Sequence, residues 1–262
     1  MSKIISIHSY RGGTGKSNLT ANIAATVARK GYRVGIVDTD IQSPGIHVLF
    51  GLNENDAKCT LNNYLWGQCP IWNAAYDVSG VLQQQANSRN RIFLVPSSTK
   101  LNDISRILRE RFDVELLLEG FKELIKDIKL DYLFIDTHPG LSQESLITLT
   151  ASNIVLLILR PDQQDFQGTA VTVDVARRLK VPMLLLAVNK ALIDYDFGDL
   201  KKKVELTYQA TLAGIVPESK DILRFASSGI FCLNYPKHPI SQAIEGIAKQ
   251  IIMSQKSLAA HF

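Results

Sequence analysis

The chain's 262 residues are 46% hydrophobic and 21% charged, an ordinary globular composition that can fill one large α/β core and marks no second domain. A formal net charge of +4 makes it mildly basic, which permits weak contact with nucleic acid or anionic lipid and requires neither. Three cysteines, Cys59, Cys69 and Cys232, have no C-x-x-C spacing; this argues against a disulfide framework or zinc site, fits a reducing cytosol and leaves all three as small buried hydrophobes.

In chain order, Met1-Ser2-Lys3 runs straight into the first strand-like segment, without the pattern of a signal peptide. Strands are expected over 3–7, 33–37, 91–95, 132–135, 154–159, 183–188 and 212–216. Several are apolar at successive positions, the mark of strands buried on both faces of a parallel sheet. Between them, 18–29 carries Leu19, Ile23 and Val27 at four-residue spacing, with Gly31 as a stop signal. Helical patterns also cover 114–129, with Leu117, Phe121, Leu124 and Ile128 on one face, and 169–179 and 240–252. Alternating strands and helices predict right-handed crossovers and an α/β, three-layer doubly wound, mostly parallel sheet, with ligands outside the carboxyl ends of its strands. Residues 52–90 read as an irregular insertion of short helices and loops over one edge of a single domain spanning 1–262. Trp66 and Trp72 are expected to fill a local core there. The longest apolar runs, such as 155–159 and 183–188, are far shorter than a bilayer span.

The first strand is followed by Tyr10-Arg11-Gly12-Gly13-Thr14-Gly15-Lys16-Ser17 and then a helix, the order of a phosphate-binding P-loop. Glycines let backbone N–H groups turn inward around phosphate oxygens, and the helix start adds its positive dipole end. Lys16 would contact the terminal phosphates and the Ser17 hydroxyl would ligate Mg²⁺. The general pattern has Gly where Tyr10 stands. The second strand ends in Asp38-Thr39-Asp40 and the fourth in Asp136-Thr137-His138-Pro139-Gly140. Carboxylates at the ends of neighbouring buried strands are costly without a cation or hydrogen bonds to offset them. Asp136 is placed to hold Mg²⁺ through water, and Asp38 to orient the attacking water or accept its proton.

Gly12 to Ser17, Asp38 and Asp40, and Asp136 to Gly140 together resemble the ParA/MinD superfamily of deviant-Walker ATPases. Asn189, in Val188-Asn189-Lys190, looks like that family's adenine-contacting Asn, and Pro217-Glu218 like its later adenine-flanking turn. The landmarks run over nearly the whole chain. The resemblance implies ATP and Mg²⁺ as cofactors, with Asn18 beside the nucleotide. It also implies weak, partner-stimulated ATP hydrolysis and an ATP-dependent homodimer with two nucleotides sandwiched between subunits. Such ATPases position plasmids, chromosomes, division machinery or protein cargo with a small adaptor protein. The family's signature Lys, which reaches across the dimer, is here Arg11, a longer, planar and bidentate cation. Arg11 would then act as an arginine finger in trans. Arg160 is a second candidate cation, or a surface ion pair with Asp162 or Asp165. Absence of the signature Lys resembles the carboxysome-positioning McdA subgroup; a MinD-like division or flagellar-site regulator is the alternative.

In the last helix Ile244, Ile247, Ala248 and Ile251 form a stripe best explained by core packing, and 253–262 falls short of an interfacial membrane anchor. Basic clusters at Arg106, Arg109 and Arg111, at Arg177, Arg178 and Lys180, at 201–203, and at Lys220 and Arg224 lack a base-reading module. Any DNA contact, as on a nucleoid, would be sequence-independent and salt-sensitive. Rival readings are a metallocluster carrier, which needs paired cysteines, a small-molecule synthetase, which needs a substrate pocket, and a nucleotide switch that does not hydrolyse.

Overall fold

A computed structural model of the chain describes residues 2–53, 56–85, 89–110 and 112–259. Eight strands form one sheet in the order β3-β4-β2-β5-β1-β6-β7-β8. They are β1 Lys3–His8, β2 Arg33–Asp38, β3 Tyr76–Asp77, β4 Arg91–Val95, β5 Tyr132–Asp136, β6 Ile154–Leu159, β7 Met183–Ala191 and β8 Thr211–Pro217. All neighbours pair in parallel except β3, which runs antiparallel to β4. The expected three-layer α/β sheet is thus observed, with the seven expected strands present and two-residue β3 added.

The successive apolar residues serve two cores at once. On β6, Ile154, Leu156 and Ile158 pack on one side of the sheet, while Val155, Leu157 and Leu159 pack on the other. On β5, Tyr132 and Phe134 face one way and Leu133 and Ile135 the other. Helix α1 (Lys16–Arg29) and the C-terminal α11 (Pro239–Ala259) cover the first face, where Leu19, Ile23, Val27, Ile244, Ile247 and Ile251 are all buried. Removing the side chain of one such isoleucine to Ala costs about 2–5 kcal/mol. The Ile stripe of α11 is therefore core, as its spacing predicts. Helices α5 (Val114–Asp127) and α7 (Gln163–Arg178) contribute Leu117, Phe121, Leu124 and Val173 to the opposite face.

Segment 52–90 holds α3 (Leu61–Leu65), two 3-10 turns and β3. Thr60 caps α3: its hydroxyl accepts from the Asn63 N–H, and the Asn63 side chain accepts from the Thr60 N–H. The tryptophans depart from expectation. Trp72 is half exposed, and Trp66 lies under the Arg106 guanidinium, 4.4 Å from its ring centre. Cys232 is buried as expected, whereas Cys59 and Cys69 are free and only half-buried. Among the described residues no helix is long and apolar enough to cross a membrane.

Candidate functional site: a P-loop and its strand-end carboxylates

Strand order sets the site. β1 lies between β5 and β6, and β5 between β1 and β2, so the loop after β1 sits beside the ends of β2 and β5. The register aligns Asp38 with Asp136 and Ile7 with Asp136.

The loop enters α1 through Gly15, in the left-handed region at φ 86°. A Cβ there would also lie 2.5 Å from Asn189 Nδ2, so only glycine fits on both counts. No side chain caps α1 and no acidic residue occupies its first turn, which leaves its N–H groups and dipole free for an anion. β7 braces the loop. Asn189 Nδ2 donates to the Thr14 carbonyl at 2.7 Å and Lys190 Nζ to the Gly13 carbonyl at 2.8 Å.

Lys16 is almost fully buried, with Nζ donating to Asp136 Oδ1 at 2.9 Å and lying 3.9 Å from Asp40 Oδ2. The Thr20 hydroxyl is 3.0 Å from the same Asp136 oxygen. Asp136 Oδ2 and Thr14 Oγ1 are buried and have no hydrogen-bond partner among the described residues. A buried carboxylate oxygen without a donor fits a hard cation or its water, and with the Ser17 hydroxyl it supplies the all-oxygen donor set that Mg²⁺ prefers.

Asp38 is fully buried. Its oxygens accept from the Asp40 N–H at 3.0 Å and the Gly45 N–H at 3.3 Å. Burial first, and then the Asp136 charge, hold its carboxyl well above the usual range. Asp40 turns the other way, into the loop's cavity, where Oδ1 accepts from His138 Nδ1 at 2.7 Å. His8, at the end of β1, is buried against Thr137. The Thr137 hydroxyl donates to the Ile7 carbonyl, so it accepts from His8 Nδ1 at 2.7 Å. Burial, then the Lys16 charge, lowers the His8 pKa to about 3.

Arg11 does not stand free. One of its terminal nitrogens lies 3.4 Å from Asp165 and 3.7 Å from Asp162; Arg160 meets the same two carboxylates, each at 3.1 Å. Two guanidinium groups thus share two acids, which is the ion-pair reading for Arg160 and extends it to Arg11.

Arg11, Gly12, Gly13, Thr14, Gly15, Lys16, Ser17, Asn18 and Asp40 line a cavity of about 240 Å³. Gly15 and Asn18 also border a second, larger cleft of about 390 Å³ with Asn189, Pro217 and Glu218. The predicted residues thus line these two adjoining clefts, with three exceptions. Buried Asp136 reaches the first cleft through Lys16, buried Asp38 is its neighbour in the sheet, and Arg160 joins Arg11 on the acids of the following helix. Sequence reading passed over His8, Thr20, Lys190 and His138. Thr20 could have been found, standing one helical turn after Lys16; His138 lies inside a motif already singled out. Among the basic clusters, Arg106 pairs with Glu110, Arg177 donates to the Tyr208 carbonyl, and Lys202 and Arg224 pair with Asp199 and Asp221. Arg111 and residues 260–262 lie outside the described residues.

The profile of the AAA domain family AAA_31 matches residues 2–183. An uncharacterised ATP-binding protein of Methanocaldococcus jannaschii is 27% identical over 255 residues, covering 96% of this chain and 88% of that protein. An iron-sulfur cluster carrier protein of Clostridium perfringens is 29% identical over 209 residues, or 74% of this chain and 66% of its own. Among solved structures, the cell division ATPase MinD of Pyrococcus furiosus superposes with a TM-score of 0.79 at 23% identity, over 97% of this chain and 99% of that one. MinD of Pyrococcus horikoshii in complex with Mg-ADP gives 0.78 at 22% over 96% of each, and apo McdA from Cyanthece 0.74 at 18% over 96% of this chain and all of that one. The match of the AAA_31 model over more than half the chain makes this protein a member of the AAA_31 family of AAA domains, on a fold that it shares with MinD and McdA.

Proposed function

We propose that the chain is an Mg²⁺-dependent ATP hydrolase, one ATPase domain over 1–262, that joins two copies through bound ATP and positions intracellular cargo with a small adaptor protein. The observation that carries this reading is the uncapped N-terminus of α1 opening on a cavity with Lys16 and Asp40, continuous with a cleft large enough for a base. Lys16 would exchange Asp136 for the terminal phosphates, while Gly12 to Gly15 and Asn18 hold the phosphate chain. Mg²⁺ between Ser17 and Asp136 would neutralise charge on the phosphate oxygens. Asp40, facing the cavity, would orient the attacking water, and Asp38, buried behind it, would help to orient that water by accepting from the Asp40 N–H. Asn189, Pro217 and Glu218 would flank the base.

Arg in place of the signature Lys favours the McdA-like, carboxysome-positioning subgroup over a division or flagellar-site regulator. The surface such a cycle uses would be the nucleoid, through sequence-independent contacts, with the protein cytoplasmic. A single-turnover assay with ATP, with and without duplex DNA, tests the reading. We expect slow phosphate release that Lys16→Ala abolishes. Release no faster than from Lys16→Ala in both conditions overturns it.

A further inference from the structure

Two loops meet beside the phosphate cavity: at their base the Thr39 N–H and hydroxyl donate to the Asp136 carbonyl at 2.9 and 3.0 Å, and further out Asp40 meets His138. Asp40 follows β2, and His138 follows β5 in the segment Asp136 to Gly140. Asp40 Oδ1 receives His138 Nδ1 at 2.7 Å while Oδ2 faces Lys16 at 3.9 Å. Asp40 is almost buried, and the Ser43 N–H donates to its Oδ1 at 3.3 Å. A carboxylate only accepts, so the proton of this contact sits on His138 Nδ1.

We propose that His138 is a positioning residue: its hydrogen bond clasps the loop after β5 to the loop after β2 and fixes the rotamer of Asp40, so that one oxygen stays turned to the terminal phosphate and its water. The inference rests on the hydrolase reading for its kinetic consequence, but the clasp itself exists or fails independently of turnover. Geometry gives the reason for its size. Asp40 has a short side chain with two rotatable bonds, and without His138 only a Ser43 backbone amide holds Oδ1. Loss of that restraint lets the carboxylate swing, and displacement of a reacting group by about 1 Å can lower a rate by about 100-fold. Nucleotide affinity rests on Lys16, the loop amides and the base cleft, none of which bonds His138.

The first measurement is nitrogen NMR of the histidine-labelled protein without nucleotide. We expect His138 in the Nδ1–H tautomer, shifting toward Nε2–H in Asp40→Ala. The second is ATP turnover and fluorescent ATP-analogue binding. His138→Ala should lower kcat about 10-fold or more with affinity within about twofold, and His138→Asn, whose amide can supply the donor, should recover most of the loss. His138→Ala added to Asp40→Asn should cost nothing further. An Nε2–H tautomer in the native protein overturns the clasp, as does an unchanged kcat in His138→Ala or strict additivity with Asp40→Asn. A native protein that shows the Nδ1–H tautomer and no turnover sinks the hydrolase reading and leaves the clasp standing.

Discussion

Beneath the phosphate loop, three carboxylates and one lysine share a nearly dry space. Asp136 is neutralised by Lys16, and Asp40 leans on His138, but Asp38 has only backbone N–H groups. Burial, and then the Asp136 charge, push the Asp38 carboxyl upward. His8 responds in the opposite sense. It is folded neutral with a pKa of about 3, against 6.5 for the free group, so the unfolded chain binds the proton that the folded chain refuses. Its contribution is therefore intact above pH 6.5 and is lost as pH falls toward 3, at about 1.4 kcal/mol per unit. We expect His8→Asn to lose about 2 kcal/mol less stability than the native chain between pH 7 and 4.5, read from urea midpoints. Equal losses in both proteins would place the His8 proton elsewhere. Lys16, Ser17, Asp38 and Asp136 were all legible in the sequence, since glycine spacing and acids after apolar runs are local signals. The contacts of His8 and His138 span 129 and 98 residues, and nothing local announces them.

Helix α7 shows how an element supports the loop from outside it. Tyr10 lays its ring against Gly168, where a Cβ would lie 2.0 Å from the ring. The same helix carries Asp165, which holds Arg11, so both residues that open the loop are docked on one helix. Gly168→Ala should destabilise the fold by about 1–3 kcal/mol, less the helix propensity Ala contributes. It should also weaken nucleotide binding by lifting Tyr10 and Arg11. Thermal melts of Gly168→Ala alone and with Tyr10→Ala check this: the double variant should recover most of the loss, and a single variant as stable as the native chain would deny the contact. Tyr10 looked like a flaw in the P-loop pattern; in the fold it is a packing residue. The hydrophobic periods of α1, α5 and α11 gave those helices away because each has one buried face. Segment 52–90 was readable only as irregular, for its short elements are held by caps and by pairing with distant β4, not by a repeating pattern.

At the scale of the whole molecule, Arg11 has two possible employments, and the structure describes one. Alone, the chain holds it against Asp162 and Asp165, with Arg160 on the same acids. If Arg11 leaves to meet a partner's nucleotide, Arg160 remains to balance the acids, which lowers the cost of release. Arg11→Ala should then bind ATP normally but lose ATP-dependent dimerisation and at least about 10-fold in turnover, measured by light scattering and phosphate release. Unchanged behaviour in both sinks the finger. The strand order made by β1, β2 and β5 puts every loop needed for this at the same end of the sheet, as alternating strands and helices predicted.

The other flank of the sheet bears on how copies avoid meeting wrongly. It ends in β3, two residues long and turned against its neighbours, with Asp77 paired to Arg91 across the strand boundary. So short and charged a border offers an approaching backbone few amides to zip onto. A crowded population of this protein is thereby steered from fibre-like stacking along that border.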